Sequence, residues 1–125
     1  MRFAANLSLL FTEHPLPARF AAARAAGFEM VEMLFPYEMG PSALRTALEA
    51  DGLALVSINT PAGDWAGGER GFAAVPGEED RFRTGAREAM RYARLAPSAR
   101  IHVMAGNAKG DAARRVFIDN LAWLA

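Results

Sequence analysis

The stretch Phe28-Glu-Met-Val-Glu-Met-Leu-Phe35 decides the fold, because it has the composition of a strand and its two faces differ. Successive residues of a strand point to opposite faces of the sheet. One face is therefore apolar throughout, with Val31, Met33 and Phe35, while the other face carries Glu32. An apolar face can pack under helices, whereas a carboxylate on the opposite face needs a polar partner.

Strands and helices alternate on both sides of this segment. Strands are predicted at 2–8, 28–35, 53–59 and 101–104, and helices at 16–26, 42–51, 78–95 and from an N-cap at Asp111 to the terminus. This βαβαβαβα order predicts a parallel sheet with right-handed crossovers. An open doubly wound sheet and a closed barrel share the pattern.

The faces of the strands favour the barrel. Each predicted strand has one apolar face and one mixed face, and the polar residues of the mixed faces are Asn6, Glu32, Ser57, Asn59 and His102. Doubly wound sheets lie under helices on both faces and tend to be apolar throughout. A barrel interior can hold polar groups near its catalytic mouth. We therefore predict an α/β fold of the (β/α)8 TIM-barrel type.

The predicted elements supply the first four β/α units, whereas a full barrel has eight strands and about 250 residues. The expected domain is residues 1–125 as the N-terminal half of such a barrel, in which two strand edges are open to another chain. A fragment, a half-barrel that dimerises and an open four-stranded sheet all fit this count.

Charge and composition narrow the partners. The 125 residues include 14 basic and 14 acidic side chains, so the formal net charge is zero. This balance argues against nucleic-acid and membrane-surface binding, which need a basic excess. The absence of cysteine excludes disulfides and thiol nucleophiles, and no apolar run approaches the length of a membrane span. A cytoplasmic location is expected.

The segment 60–77 is far longer than an ordinary connection between a strand and a helix. It holds Asp64, Trp65, Glu69 and Arg70 among glycines, and we interpret it as a loop that folds over a ligand. Arg70 has the geometry for a bidentate contact with a carboxylate or phosphate. The alternative is a solvated loop tip in which Asp64 or Glu69 pairs with Arg70.

Four strand residues are further candidates for substrate binding. His102 suits a contact to a substrate hydroxyl or a proton transfer, or else an interior hydrogen bond. Glu32 needs a partner, which a cation, a substrate or a structural hydrogen bond would provide. Asn6 and Asn59 suit contacts to substrate oxygens, or bonds between neighbouring strands.

The chain resembles the hydroxypyruvate isomerase family of the xylose-isomerase-like barrels. The resemblance is carried by Phe3-Ala-Ala-Asn-Leu-Ser-Leu-Leu-Phe-Thr-Glu13, Gly27-Phe-Glu-Met-Val-Glu-Met-Leu-Phe-Pro-Tyr37, Gly63-Asp-Trp-Ala-Gly-Gly-Glu-Arg-Gly71, Ile101-His-Val-Met-Ala-Gly106 and Phe117-Ile-Asp-Asn-Leu121. It implies isomerisation of hydroxypyruvate to tartronate semialdehyde, or of a 2-oxo-tetronate, by proton transfer through an enediolate. A small oxo-acid substrate and a divalent metal, Mg²⁺ or Mn²⁺, are implied for the complete barrel.

The resemblance also implies that the catalytic carboxylates and metal ligands come from strands five to eight. We therefore expect no catalytic residue and no metal ligand within residues 1–125, and no turnover by this chain alone. The residues that remain form the substrate-side wall, namely Asn59, Asp64, Trp65, Glu69, Arg70 and His102. The alternatives are a non-catalytic half-barrel that homodimerises or binds another protein, and a different barrel enzyme such as an epimerase or a nuclease.

Overall fold

The computed structural model describes residues 1–96 and 99–125. Its strands are β1 (Ala4–Asn6), β2 (Met30–Glu32), β3 (Ala54–Asn59) and β4 (Arg100–His102), and its α-helices are α1 (Leu16–Ala25), α2 (Pro41–Asp51), α3 (Glu79–Leu95) and α4 (Gly110–Leu124). The strands form one sheet in the order β1-β2-β3-β4. The β1–β2 and β2–β3 pairs are parallel.

The strand order decides between the two architectures that the sequence allows. A doubly wound sheet reverses its strand order at a switch point. Here every strand lies beside its sequence neighbour, as it does in a barrel, and β1 and β4 are the edges of the sheet. The predicted α/β fold with four β/α units is confirmed.

Several strands are shorter than predicted, because hydrogen bonding to neighbours sets their limits. β1 stops at Asn6, whose carbonyl oxygen accepts hydrogen bonds from the N–H groups of Leu9 and Leu10 in the following turn. β2 stops at Glu32, and a 3-10 helix at Pro36–Glu38 follows it. Pro36 opens that turn because its fixed φ suits a helical start.

The start of α4 differs from the prediction. Asp111 is not the N-cap: the helix begins at Gly110, and Lys109 occupies the capping position without a side-chain cap hydrogen bond. Asp111 lies instead in the first turn, where its carboxylate faces the positive end of the helix dipole.

The chain divides into two compact units, which are Met1–Ile58 with Arg91–Ile101, and Asn59–Met90 with His102–Ala125. In the first unit the buried residues in or directly after the strands are Ala5, Leu7, Val31, Met33, Leu55 and Ile58, and the buried helix residues include Phe20, Ala23, Leu44 and Leu48. In the second unit Phe72, Ala73, Phe82 and Ala86 form a core cluster, and Val103, Phe117 and Leu124 pack against it.

Two residues on the predicted apolar faces of their strands, Phe3 and Val56, are less buried than that prediction implies. Phe3 is 67% exposed, because it lies before the first paired residue of β1. The register of the β2–β3 pair shifts between Val31 and Glu32, so that Val31 pairs with Leu55 and Glu32 with Ser57. Leu55 is buried and Val56 is half-buried.

The mixed faces of the strands are more open than the apolar faces. Asn6, Glu32, Ser57 and Asn59 are half-buried, and His102 is exposed. The polar groups thus keep access to solvent or to a ligand while the opposite faces form the core. Within residues 1–96 and 99–125, the helices lack the length and apolar character needed to cross a membrane.

Candidate functional site

The ends of β3 and β4 bring two predicted site residues together. His102 Nδ1 lies 3.2 Å from Asn59 Oδ1, and Asn59 Nδ2 donates to the sulfur of Met104 at 3.7 Å. In this amide orientation Oδ1 can only accept, so the bond uses the His102 tautomer in which Nδ1 is the donor. In that tautomer Nε2 is an acceptor on an exposed side chain.

Thr60 fixes the point where the chain leaves β3. It is 3% exposed, its N–H donates to the His102 carbonyl at 2.9 Å, and its Oγ1 accepts from the Met104 N–H at 3.0 Å. These two bonds hold the end of β3 beside the chain that follows β4. The buried hydroxyl of Thr60 therefore helps to hold together the strand ends that carry Asn59 and His102.

The long loop after β3 is built around a tight turn between Asp64 and Glu69. The Gly67 N–H donates to Asp64 Oδ1 at 2.8 Å, and the Glu69 N–H donates to the Asp64 carbonyl at 2.9 Å. Asp64 is exposed, yet its carboxylate shapes the backbone as aspartate often does in turns. Its predicted contact with substrate stays a prediction.

Glu69 pairs with Arg81 of α3, and among the described residues neither acidic side chain of the loop forms a salt bridge with Arg70. The Arg81 guanidinium donates from Nη1 to Glu69 Oε1 and from Nη2 to Glu69 Oε2, each at 3.0 Å. Oε2 also accepts the Asp64 N–H at 2.6 Å. The hydrogen bond from Arg81, followed by that from the Asp64 backbone, holds the pKa of Glu69 below its usual range.

Arg70 and Trp65 form one assembly at the surface of the loop. The Arg70 guanidinium lies 3.8 Å from the centre of the Trp65 ring, in a cation–π contact. Its Nη1 donates to the carbonyl oxygens of Trp65 at 2.9 Å and of Glu69 at 2.7 Å. Among the described residues, Nε and Nη2 of Arg70 donate to no protein acceptor. These two atoms share one edge of the guanidinium, the edge that binds a carboxylate through two parallel bonds.

A close backbone contact joins the loop to the chain after β4. Gly71 and Ala105 form an isolated antiparallel bridge, and the Ala73 N–H donates to the Met104 carbonyl at 3.2 Å. Gly71 has a φ of 101°, and a Cβ at this position would meet the Met104 carbonyl oxygen and side chain. Only glycine satisfies both constraints.

Two asparagines secure the same segment. Asn107 Nδ2 donates to the Gly68 carbonyl at 2.8 Å, and the buried Asn120 of α4 donates to the Ala73 carbonyl at 2.9 Å. Arg70 and Asn107 line a cavity of about 190 Å³ together with Glu69, Gly71, Phe72, Val75, Glu78 and Ala108. This volume is smaller than the sites of drug-sized ligands, about 300 Å³ or more, and it suits a small molecule.

Two predicted site residues lie in the other compact unit. Asn6 Nδ2 donates to Glu32 Oε1 at 2.8 Å, so the carboxylate has the polar partner it needs. Asn6 Oδ1 also accepts the Ser8 N–H at 3.0 Å, and Ser8 Oγ accepts the Leu34 N–H at 2.9 Å. The pair therefore belongs to a hydrogen-bond network around the ends of β1 and β2. Its contact with substrate stays a prediction.

The donor groups of the described residues do not fit a divalent metal. In residues 1–96 and 99–125, no three His, Asp or Glu side chains come together in a group that could hold an ion. Mg²⁺ and Mn²⁺ need several oxygen ligands, which the Asn59–His102 pair and the Arg-bound Glu69 do not supply. No chemical step of this chain is assigned to a metal.

Four residues of this region escaped sequence reasoning: Thr60, Arg81, Asn107 and Asn120. Arg81 had a signal, since it lies in the first turn of a helix that directly follows the loop and its acidic residues. The others are single polar residues whose partners are 39 or more positions away. Their spacing in the sequence gives no sign of those bonds.

Sequential parallel strands, crossover helices and polar groups at the ends of strands define a protein of the (β/α)-barrel class. The chain belongs to the xylose isomerase-like TIM barrel family, whose model matches residues 20–125.

Curated relatives and a solved structure agree with this assignment. The chain is 49% identical over 128 residues to a 2-oxo-tetronate isomerase of Cupriavidus necator, covering 99% of this chain and 49% of that protein. It is 45% identical over 106 residues to a hydroxypyruvate isomerase of Escherichia coli, covering 85% of this chain and 41% of that one. The chain spans about half the length of these relatives.

A crystal structure described as an AP endonuclease, family 2, from Brucella melitensis matches with a TM-score of 0.92 and 43% identity. The match covers 98% of this chain and 48% of the Brucella chain. The four β/α units therefore superpose on about half of a solved structure.

The close approach at Gly71 predicts a stability difference between two glycine substitutions. Gly68→Ala, at a φ of 93° with open space around the new methyl group, should cost about 1–2 kcal/mol from backbone strain alone. Gly71→Ala adds a clash with the Met104 backbone and should cost a further 1–3 kcal/mol or so. Urea unfolding of both variants measures the difference. Equal losses would show that the bridge to Ala105 is loose.

The lowered pKa of Glu69 predicts how the stability of the loop depends on pH. Because the pKa is lower in the folded protein, the stabilisation is complete above the unfolded value of about 4.3 and is lost as pH falls through the folded value. The melting temperature of the unmodified chain should exceed that of Glu69→Gln at pH 7, and the gap should shrink below about pH 4. Glu49→Gln, at a carboxylate that is 70% exposed, is the control. A gap that persists at pH 2 would contradict the prediction.

Proposed function

We propose that this chain provides the substrate-side half of an isomerase that acts on hydroxypyruvate, a 2-oxo-tetronate or a similar small oxo acid. The Arg70 guanidinium is the observation that carries the proposal. It is stacked on Trp65 and fixed through Nη1, while its Nε and Nη2 donate to no acceptor among the described residues. Such an edge is suited to the carboxylate of an oxo acid.

Support for the substrate class comes from the relatives and from the size of the cavity. The Cupriavidus and Escherichia proteins carry isomerase names that refer to small oxo acids. The cavity of about 190 Å³ beside Arg70 suits a ligand of this size. A carboxylate at Arg70 would exchange its hydration for two charge-assisted bonds.

The Asn59–His102 pair would act on the polar end of the substrate. In the tautomer with Nδ1 donating to Asn59, the imidazole would offer Nε2 as an acceptor for a substrate hydroxyl. The amide of Asn59 fixes the tautomer and the ring orientation. We assign the pair to binding and orientation of substrate, and we assign no covalent step to it.

The proton-transfer carboxylates and the divalent metal, Mg²⁺ or Mn²⁺, remain a proposal for the complete barrel. A metal held by residues outside 1–125 would supply positive charge to the site of the complete barrel. The chain's own contribution would be to hold the carboxylate and to exclude water from one side of the substrate. Residues 1–125 alone are then expected to bind without turnover.

Binding of hydroxypyruvate tests the proposal directly. The chain should bind it saturably, and Arg70→Met should weaken binding at least about tenfold, since a charge-assisted bidentate contact is worth about 1.5–3 kcal/mol. Arg94→Met, a matched change at an exposed arginine in the last turn of α3, should leave the affinity unchanged. Titration calorimetry at neutral pH measures all three.

The same preparations decide two further points. Turnover of hydroxypyruvate by the 125-residue chain with Mg²⁺ or Mn²⁺ would refute the proposal that the catalytic groups lie outside it. The Brucella protein is described as an endonuclease, so duplex DNA with an abasic site is the second substrate to assay. The zero net charge weighs against DNA binding, and specific cleavage would replace the isomerase proposal.

The open edges of the sheet support the proposal that the chain has a protein partner. Among the described residues, β1 and β4 each have a neighbouring strand on one side only, and edge strands offer rows of unpaired backbone groups. Phe3 and Leu9, near the β1 edge, are 67% and 65% exposed. We propose that a second copy of the chain, or a C-terminal half-barrel, pairs with these edges. A non-catalytic half-barrel would use the same edges.

Sedimentation equilibrium tests the need for a partner. The purified chain should self-associate, and its melting temperature should rise with protein concentration because association stabilises the folded state. The substitution Phe3→Lys should weaken association, because it places a charge beside the β1 edge. A monomer with a cooperative melt that is independent of concentration would contradict the proposal.

A further inference from the structure

The proposed function gives no role to Arg81, although its side chain makes several contacts. Its guanidinium holds both oxygens of Glu69 at 3.0 Å and Glu78 Oε2 at 3.1 Å. It also lies 3.9 Å from the centre of the Phe72 ring. One side chain of α3 thus contacts three residues, all of them between the end of β3 and the start of α3.

Glu69 links Arg81 to the tight turn that begins at Asp64. Its Oε2 accepts the Asp64 N–H at 2.6 Å, and its own N–H donates to the Asp64 carbonyl at 2.9 Å. Gly63 leaves the space for this arrangement, since a Cβ there would meet Glu69 Oε2 and the Phe72 ring. The turn is therefore closed by a carboxylate that α3 holds in place.

Arg70 depends on the geometry of the same turn. Its Nη1 is bound to the carbonyls of Trp65 and Glu69, which both belong to the turn, and its guanidinium stacks on the Trp65 ring. A shift of the Glu69 backbone moves one of these carbonyls directly. The direction of the Nε and Nη2 edge is thus set by atoms that Glu69 positions.

We propose that Arg81 is a positioning residue, which aims the Arg70 guanidinium at the substrate carboxylate by anchoring Glu69. The proposal rests on the proposed function, because it names what orients the carboxylate-binding residue. Arg81 is suited to this role by its planar fork, which fixes both the position and the rotation of a carboxylate. A lysine in its place supplies the charge and cannot make the two parallel bonds.

The test measures hydroxypyruvate affinity of the full chain for Arg81→Met, Arg81→Lys, Arg70→Met and the Arg94→Met control. Melting curves define a temperature at which every variant is folded, and all titrations are made there. Arg81→Met should weaken binding about tenfold although the proposed carboxylate contact is made by Arg70, and Arg81→Lys should give an intermediate affinity. The NMR signal of the Trp65 indole N–H should shift in Arg81→Met, because the stacked guanidinium moves.

A second variant covers the case in which Arg81→Met does not fold. Glu69→Gln keeps an oxygen that can accept the Asp64 N–H and removes the charge that Arg81 holds, so it should weaken binding in the same direction. A residue that only stabilises the fold would lower the melting temperature and leave both the affinity and the indole signal unchanged.

The outcomes separate this inference from the proposed function. Wild-type affinity in Arg81→Met and Glu69→Gln, together with lost binding in Arg70→Met, overturns the role of Arg81 and leaves the proposed function intact. Absence of binding by the unmodified chain, or unchanged binding in Arg70→Met, refutes the proposed carboxylate contact and the role of Arg81 with it. Weakened binding in Arg81→Met and Arg70→Met, with Arg94→Met unchanged, supports both.

Discussion

The backbone bridge between Gly71 and Ala105 constrains every other feature of the candidate site. It brings the long loop after β3 against the chain that leaves β4, and the approach is close enough to exclude any side chain at Gly71. The bonds from Thr60 to Met104 and from Asn107 to Gly68 act between the same two segments. Because these contacts are made by backbone groups or short side chains, they fix the loop without using the charged groups that a ligand would need.

The charged residues of the loop divide into two kinds of use. Asp64 and Glu69 are engaged in closing the turn, and Glu69 is further held by Arg81. Arg70 binds the turn through Nη1. Its Nε and Nη2 atoms have no protein acceptor among the described residues. A cation that is fixed in place but incompletely bonded is pre-organised for an anionic ligand, since binding then costs little side-chain entropy.

The chain belongs to the xylose isomerase-like TIM barrel family and spans about half the length of its relatives. The described residues include an arginine edge without a protein acceptor, an amide and an imidazole. They do not include a cluster of carboxylates that would hold a metal. In a barrel, active-site residues come from the ends of several different strands.

Hydrophobic periodicity and the positions of Gly and Pro were sufficient to predict the order of the helices and strands. The helices at 16–26, 42–51 and 78–95 were predicted to within about a residue, because Pro and Gly mark their ends and helix periodicity is local. The strand limits were less accurate, since a strand ends where its neighbour stops pairing. The slip between Val31 and Glu32, the exposure of Phe3 and the start of α4 at Gly110 depend on contacts that no local pattern encodes.

By itself, the sequence determined the α/β class, the alternating units, the position of the long loop and the polar residues at the ends of the strands. Those properties follow from local patterns of apolar, polar, Gly and Pro residues. Only the tertiary structure decided that Glu69 pairs with Arg81, that His102 meets Asn59 and that Arg70 stacks on Trp65. Pairing of this kind depends on distances and directions between side chains, which are fixed once the backbone segments have packed.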